Sequence, residues 1–243
     1  MLASSEADNG TDGALKYRVM TLLREIQKLL EQTYGKIGVN LEDFLLNSEE
    51  HKLLAGLASA TAGQISDLGR TFLRVSDGKL RVGIYYQPSV IEALEKESPQ
   101  FGLTDDNILP FMVFLEEVDH AVHASLKYLD GYREIFAEEF VRELELQAKV
   151  DVYLILQMYC AFFNEDKKLH DADRRWLRSC VFDAERFSYE DPMIAERYRE
   201  TNRLGRRYVR HLDKLTPKRR TAEIRRFRKF DYLGKQKRVV SVG

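Results

Sequence analysis

Ile108-Leu109-Pro110-Phe111-Met112-Val113-Phe114-Leu115-Glu116-Glu117-Val118-Asp119-His120-Ala121-Val122-His123 is the stretch from which the fold can be read. Its first eight residues are apolar on every side of a helix, and a helix of that kind is buried all round. The spacing predicts a helix from about Asp105 to Leu129. Pro110 is tolerable in its first turn, where no intrahelical N–H is required. Gly131 suits the stop. A second long helix is expected from about Arg133 to Phe163. A short turn at Asp130-Gly131 would make the two helices antiparallel neighbours. The fold class that follows is mainly α with a small β-hairpin (α+β), its core built around these two helices.

Upstream, Val19, Leu22, Leu23, Ile26, Leu29 and Leu30 repeat at 3-4 spacing, which marks an amphipathic helix over 14–34 with Gly35 as its stop. Asn47 or Ser48 can cap a helix reaching about Ala60, with Glu50 in its first turn. The period then changes to two in 71–75 and 80–86. Asp77-Gly78 supplies turn chemistry between them, so 71–86 is expected to be a hairpin. Pro88 ends the second strand, and Ser89 can cap a short helix over 90–96. Helices are also expected over 171–182 and 192–215. The domain reading is a disordered 1–13, one helical domain over 14–215, and a basic C-terminal arm over 216–243.

A chain of 243 residues, 44% hydrophobic and 32% charged, can bury a large core without a disulfide or a metal simply to fold. No run approaches the ~20 apolar residues of a spanning helix. Met1 to Gly13 lacks the basic and apolar regions of a signal peptide. Cys160 and Cys180 have no CxxC spacing and read as reduced thiols. The expected setting is cytoplasmic, with no membrane partner. No phosphate-binding glycine loop and no serine-hydrolase elbow is present.

The chemistry gathers on the helix already quoted. Residues four apart stack on one helix face, and residues three apart nearly do. Glu116 and Glu117 therefore neighbour His120, and Asp119 neighbours His123. Buried carboxylates are costly unless paired, protonated or metal-bound. No Lys or Arg lies within a turn of these; the nearest downstream is Lys127. The next helix carries an apolar seam of Val141, Ala148, Val152, Ile155 and Tyr159, and the missing step in its rhythm is Glu145. Glu145 is expected to face Glu116 and His120. That Glu, His, Glu set suits zinc first, with iron or manganese as alternatives. Glu117 would stand beside the ion as general base, with Asp119, His123 and Asp151 around the ligands.

The run Glu116-Glu117-Val118-Asp119-His120 resembles the HExxH helix of zinc metalloproteases, with Glu116 in place of the first histidine. The segment from Arg142 to Asp151 is similar to the second helix of the gluzincins. There a glutamate ligand is followed three residues later by Ala and four later by Asp. The resemblance covers about forty residues. It implies His120 and Glu145 as ligands, Glu117 as base, Ala148 in its family place, and a metal-dependent hydrolase with a peptide or protein substrate. Asp151 lies six residues after Glu145 rather than four; if Asp151 marks the pattern, the ligand position falls on Gln147. Glu117-x-x-His120 is also half of a ferritin-like di-iron motif, whose second half is absent.

The other histidines, His51, His170 and His211, lie in charged contexts and read as exposed. The last 43 residues carry fifteen Lys and Arg against Asp213, Glu223 and Asp231, a net of +12; with −1 for the whole chain, residues 1–200 carry −13. Arg219, Arg220, Arg225, Arg226, Arg228 and Lys229, interleaved with Phe227 and Phe230, define the alternative: a non-enzymatic module whose arm binds a partner protein or nucleic acid.

Overall fold

In the computed structural model the helix decided by the quoted stretch is α4, Ile108–Leu129, buried on every side from Phe111 through Lys127. The structure describes residues 9–57, 68–135, 137–183 and 192–242. Before α4 come α1 (Asn9–Tyr34), α2 (Ser48–Leu57), strands β1 (Gly69–Ser76) and β2 (Lys79–Tyr86), and α3 (Pro88–Lys96). After it come α5 (Glu138–Phe163), α6 (Asp171–Phe182), α7 (Pro192–Leu212), α8 (Pro217–Lys229) and α9 (Tyr232–Val242). The chain is mainly α with one small antiparallel hairpin.

Local chemistry accounts for the element ends. Asn47 caps α2: its side chain accepts from the N–H groups of Glu49 and Glu50, and Glu50 reciprocates to Asn47 N–H. Asp77 and Gly78 both have positive φ, 54° and 68°, and join Ser76 to its partner Lys79 in a two-residue turn. Residue 1 of α3 is Pro88, with Gln87 rather than Ser89 at the cap. Three further boundaries differ from the sequence reading. Helix α1 begins at Asn9, five residues before the expected start at Ala14. Residues 1–8 and 58–60, the expected tail and the expected end of α2, lie outside the described residues. Helix α5 begins at Glu138 rather than Arg133, because the Arg133 guanidinium donates to the carbonyls of Tyr128 and Tyr132 and ties the loop back to α4. Helix α7 stops at Leu212, since Pro217 disfavours helical backbone before it and itself starts α8.

Helices α4 and α5 form the centre. Helices α1, α3 and α6 and both strands pack on α4, while α6, α7 and α9 pack on α5. The hairpin lies across α4. Tyr86 donates to the Phe114 carbonyl at 3.0 Å, and a Cβ on Gly69 would stand 2.8 Å from Val113 Cγ1, so only glycine permits that approach. The expected basic arm is folded into the body as α8 and α9. Phe227 is fully buried and stacks on Tyr208 at 4.0 Å, and Val239 is fully buried. Cys160 and Cys180 form no disulfide. Among the described residues no helix is long and apolar enough to cross a membrane.

Candidate metal centre

The antiparallel pairing of α4 and α5 places Glu145 opposite His120, with Glu145 Oε2 4.0 Å from His120 Nε2. None of Glu116, Glu117, Asp119, His120, His123, Glu145 and Asp151 is more than 3% exposed. Among the described residues two sets of three offer donor atoms that all lie within 4.8 Å of one another: Glu116, His120 and Glu145, and Asp119, His123 and Asp151. The first set is the one the sequence singled out. The second comprises the residues expected to surround the first; the structure instead brings them together as a triad of their own.

Each carboxylate of the first triad is held by one oxygen and open at the other. Lys149, one turn beyond Glu145 on α5, lies 3.1 Å from Glu116 Oε2, leaving Glu116 Oε1 without a partner. Tyr198 of α7 donates to Glu145 Oε1 at 3.0 Å, leaving Oε2 without a hydrogen bond. Both ring nitrogens of His120 lack one as well. Its Nδ1 stands 3.8 Å from Glu117 Oε2, an ion-pair distance too long for a hydrogen bond. Glu117 is itself fixed from the hairpin: Thr71 donates to Glu117 Oε2 at 2.7 Å, and β1 covers it closely enough that a Cβ on Gly69 would lie 3.0 Å from Glu117 Cγ.

The second triad lies toward α1. His123 Nε2 is 3.0 Å from Asp151 Oδ2 and 3.2 Å from Asp119 Oδ1. The single Nε2–H is directed at Asp151, so Asp119 receives charge but no hydrogen bond, and neither of its oxygens has one. Asp151 also accepts from the Tyr34 hydroxyl and from Gln147 Nε2, the latter at 2.8 Å. Gln147, the alternative ligand position, thus serves Asp151 as a donor. Its Oε1 accepts from Lys235, which α9 buries to 1% exposure and whose ammonium also reaches the Glu143 carbonyl at 3.3 Å.

Burial and crowding shift the titrations. Burial pushes the Glu145 carboxyl up to about 7, with His120 and Lys149 lowering it and Glu116 raising it. Burial would lower His120, but Glu117, Glu145 and Glu116 outweigh it and hold the imidazole at about 10. Burial raises Asp119 to about 6 against the pull of His123. Asp151, although equally buried, is held below the ordinary carboxylate range by His123, Gln147 and Tyr34. Two carboxylates on one imidazole thus behave differently, because Asp151 also accepts from Gln147 and Tyr34 whereas Asp119 has only His123.

Lys149, Tyr34, Tyr198, Thr71 and Lys235 were not singled out in the sequence. Lys149 had a signal, four residues from Glu145 on the same face. The basic residues of the alternative reading divide. Arg219, Arg225, Arg226 and Lys229 are exposed. Arg220 is half-buried on the Leu212 and Leu215 carbonyls, and Arg228 is buried against Asp130 at 2.9 Å. His51 is half-buried, stacked on Tyr85 at 3.8 Å, and His211 is half-buried, whereas His170 is exposed. The chain matches no protein family, no curated protein and no solved structure.

Proposed function

We propose that this protein binds a divalent metal ion within its helical core, with Glu116, His120 and Glu145 as ligands. The observation that carries this reading is the 4.0 Å gap between His120 Nε2 and Glu145 Oε2, two buried donors with no hydrogen bond between them. That gap is a little wider than the ~3.3 Å that separates two donors on a tetrahedral ion with bonds of ~2 Å, so a closure of about 0.7 Å would bring both onto one ion. Charge supports the same conclusion. With Glu116, Glu117 and Glu145 ionised, Lys149 offsets one negative charge, and one divalent cation beside a neutral His120 offsets the other two. One imidazole and two carboxylates suit zinc, iron or manganese, and zinc is the first choice by ligand type.

Glu117 fits an orienting role in this scheme. A metal-bound histidine commonly directs its other ring nitrogen to a carboxylate, and Thr71 anchors Glu117 on the Nδ1 side of His120. Use of Glu117 as a general base on a peptide, as the metalloprotease resemblance implies, would require β1 to move off it. The test is metal analysis of untagged protein together with melting curves in zinc, iron(II) and manganese. Bound ion and a raised melting temperature are expected in wild type, and Glu145→Gln is expected to bind one ion fewer and to show a smaller shift. No bound metal and no shift with any of the three would end the reading.

A second reading rests on the exposed face of α8, where Lys218, Arg219, Arg225, Arg226 and Lys229 share one helix. Those cations suit nucleic-acid phosphates. Binding to duplex DNA that weakens steeply as salt is raised from 50 to 200 mM is the expected outcome. Replacing Arg219, Arg226 and Lys229 with Gln tests it; unchanged binding would remove this face from the function.

A further inference from the structure

We propose that Asp119, His123 and Asp151 form a second divalent-metal site, so that the protein carries two ions, one on each side of the α4–α5 seam. The two ligand pairs on α4 are the same device repeated: a carboxylate four residues before a histidine, first at 116 and 120, then at 119 and 123. A shift of three residues moves the pair about 4.5 Å along the helix axis and about 60° around it. The first pair therefore looks toward α7 and Tyr198, and the second toward α1 and Tyr34. Helix α5 completes both, with Glu145 on one side and Asp151 on the other.

The second triad has the dimensions of a coordination site. Its donor separations of 3.0 and 3.2 Å are close to the ~3.3 Å edge of a tetrahedron built on bonds of ~2 Å. Asp119 is the independent observation. It is 1% exposed, and neither carboxylate oxygen has a hydrogen-bond partner although one lies 3.2 Å from His123 Nε2. Hydrogen-bond donors normally accompany a buried carboxylate, and one left without them is expensive. Its neighbour Asp151 is, by contrast, fully supported: Tyr34 and Gln147 fix its orientation, as outer partners do for a ligating carboxylate. No ammonium lies within ion-pair distance of either aspartate among the described residues, unlike Glu116 with Lys149. Two ionised aspartates and a neutral imidazole match one divalent cation with no residual charge. The donor set is that of zinc, iron(II) or manganese, and it rests on its own residues rather than on the Glu116 site.

The experiment is titration of the metal-free, untagged full chain with zinc and with cobalt(II), read by calorimetry and by cobalt absorption. Wild type is expected to take two ions, Asp119→Asn one, and Glu145→Gln one. Asp151→Asn provides a second variant should Asp119→Asn fail to fold, and circular dichroism reports folding of each. A single ion in wild type, retained by both aspartate variants and lost in Glu145→Gln, overturns the second site and leaves the first standing. A single ion lost in the aspartate variants and retained in Glu145→Gln supports this site and overturns the first. No ion in wild type overturns both.

Discussion

Glu145→Gln separates the cost of the buried charge from its use. In the metal-free protein the Glu145 carboxyl, ordinarily near 4.5, is held up at about 7 by burial and by Glu116. The sign follows from the direction. A carboxyl whose pKa is raised by folding contributes stability below its unfolded value, and that contribution is lost as pH rises through the folded value. By pH 8 ionised Glu145 therefore costs the folded state about 3 kcal/mol, and at pH 5 less than about 1 kcal/mol. Gln has the same shape and its carbonyl can still accept from Tyr198, so the substitution removes charge with little change in packing. Urea unfolding of metal-free protein should show the variant more stable than wild type by about 2–3 kcal/mol at pH 8, and nearly equal to it at pH 5. In saturating zinc the order should reverse, because only wild type keeps the ligand. A variant less stable than wild type at pH 8 without metal would refute the claim that carboxylates crowd this site.

Two further outcomes follow from the same geometry. His120, held at about 10 in the metal-free protein, must lose a proton to bind an ion, and Glu145, at about 7, is half protonated at pH 7; metal binding at that site should therefore release between one and two protons, measured by calorimetry in buffers of different ionisation heat, and zero release would exclude His120 as ligand. Lys149→Met leaves Glu116 buried without its ammonium partner at 3.1 Å and should destabilise the metal-free chain by about 3 kcal/mol or more, with zinc recovering most of the loss.

Short-range physics made most of the fold legible. Asp77-Gly78 specified a turn, Asn47 a cap, and the apolar run before Glu116 a helix buried on all sides. Glu145 was legible for a related reason: a carboxylate interrupting an apolar seam has to face something. The same signature is present in α9, where Tyr232, Lys235 and Val239 recur at 3-4 spacing and all three are buried. There it was hidden, because the surrounding density of Lys and Arg makes one more lysine unremarkable as text. Helix α8 reads as a solvated cationic arm for the same reason, although Ile224 and Phe227 anchor it. Tyr34 and Tyr198 left no trace in the sequence. Their hydroxyls meet Asp151 and Glu145 across 117 and 53 residues, and only tertiary packing decides which of twelve tyrosines does so. The grouping of the second triad is not legible in the sequence, because helical spacing shows that Asp119 meets His123 but is silent on the rotation of α5 that delivers Asp151.

The strongest reason to read these residues as a site is that stability alone gives no account of them. Eight buried donor and acceptor atoms on Glu116, Glu117, Asp119, His120, His123 and Glu145 have no hydrogen-bond partner. A network with that many open positions holds a fold less well than apolar side chains of the same volume, since desolvating charges costs more than imperfect pairing returns. Replacing the first set together, with Glu116→Leu, His120→Leu, Glu145→Leu and Lys149→Met, should therefore give a folded protein at least as stable as the metal-free wild type. Replacing Lys149 alone should destabilise it, because the uncompensated carboxylate remains. Metal-loaded wild type should exceed both, by an amount that grows with free ion as binding linkage requires, about 4 kcal/mol at a thousand times the Kd. Thermal melts of the three proteins with and without zinc decide the matter. If the four-fold variant is much less stable than metal-free wild type, the buried charges are structural, and the case for metal at the first triad loses its energetic basis.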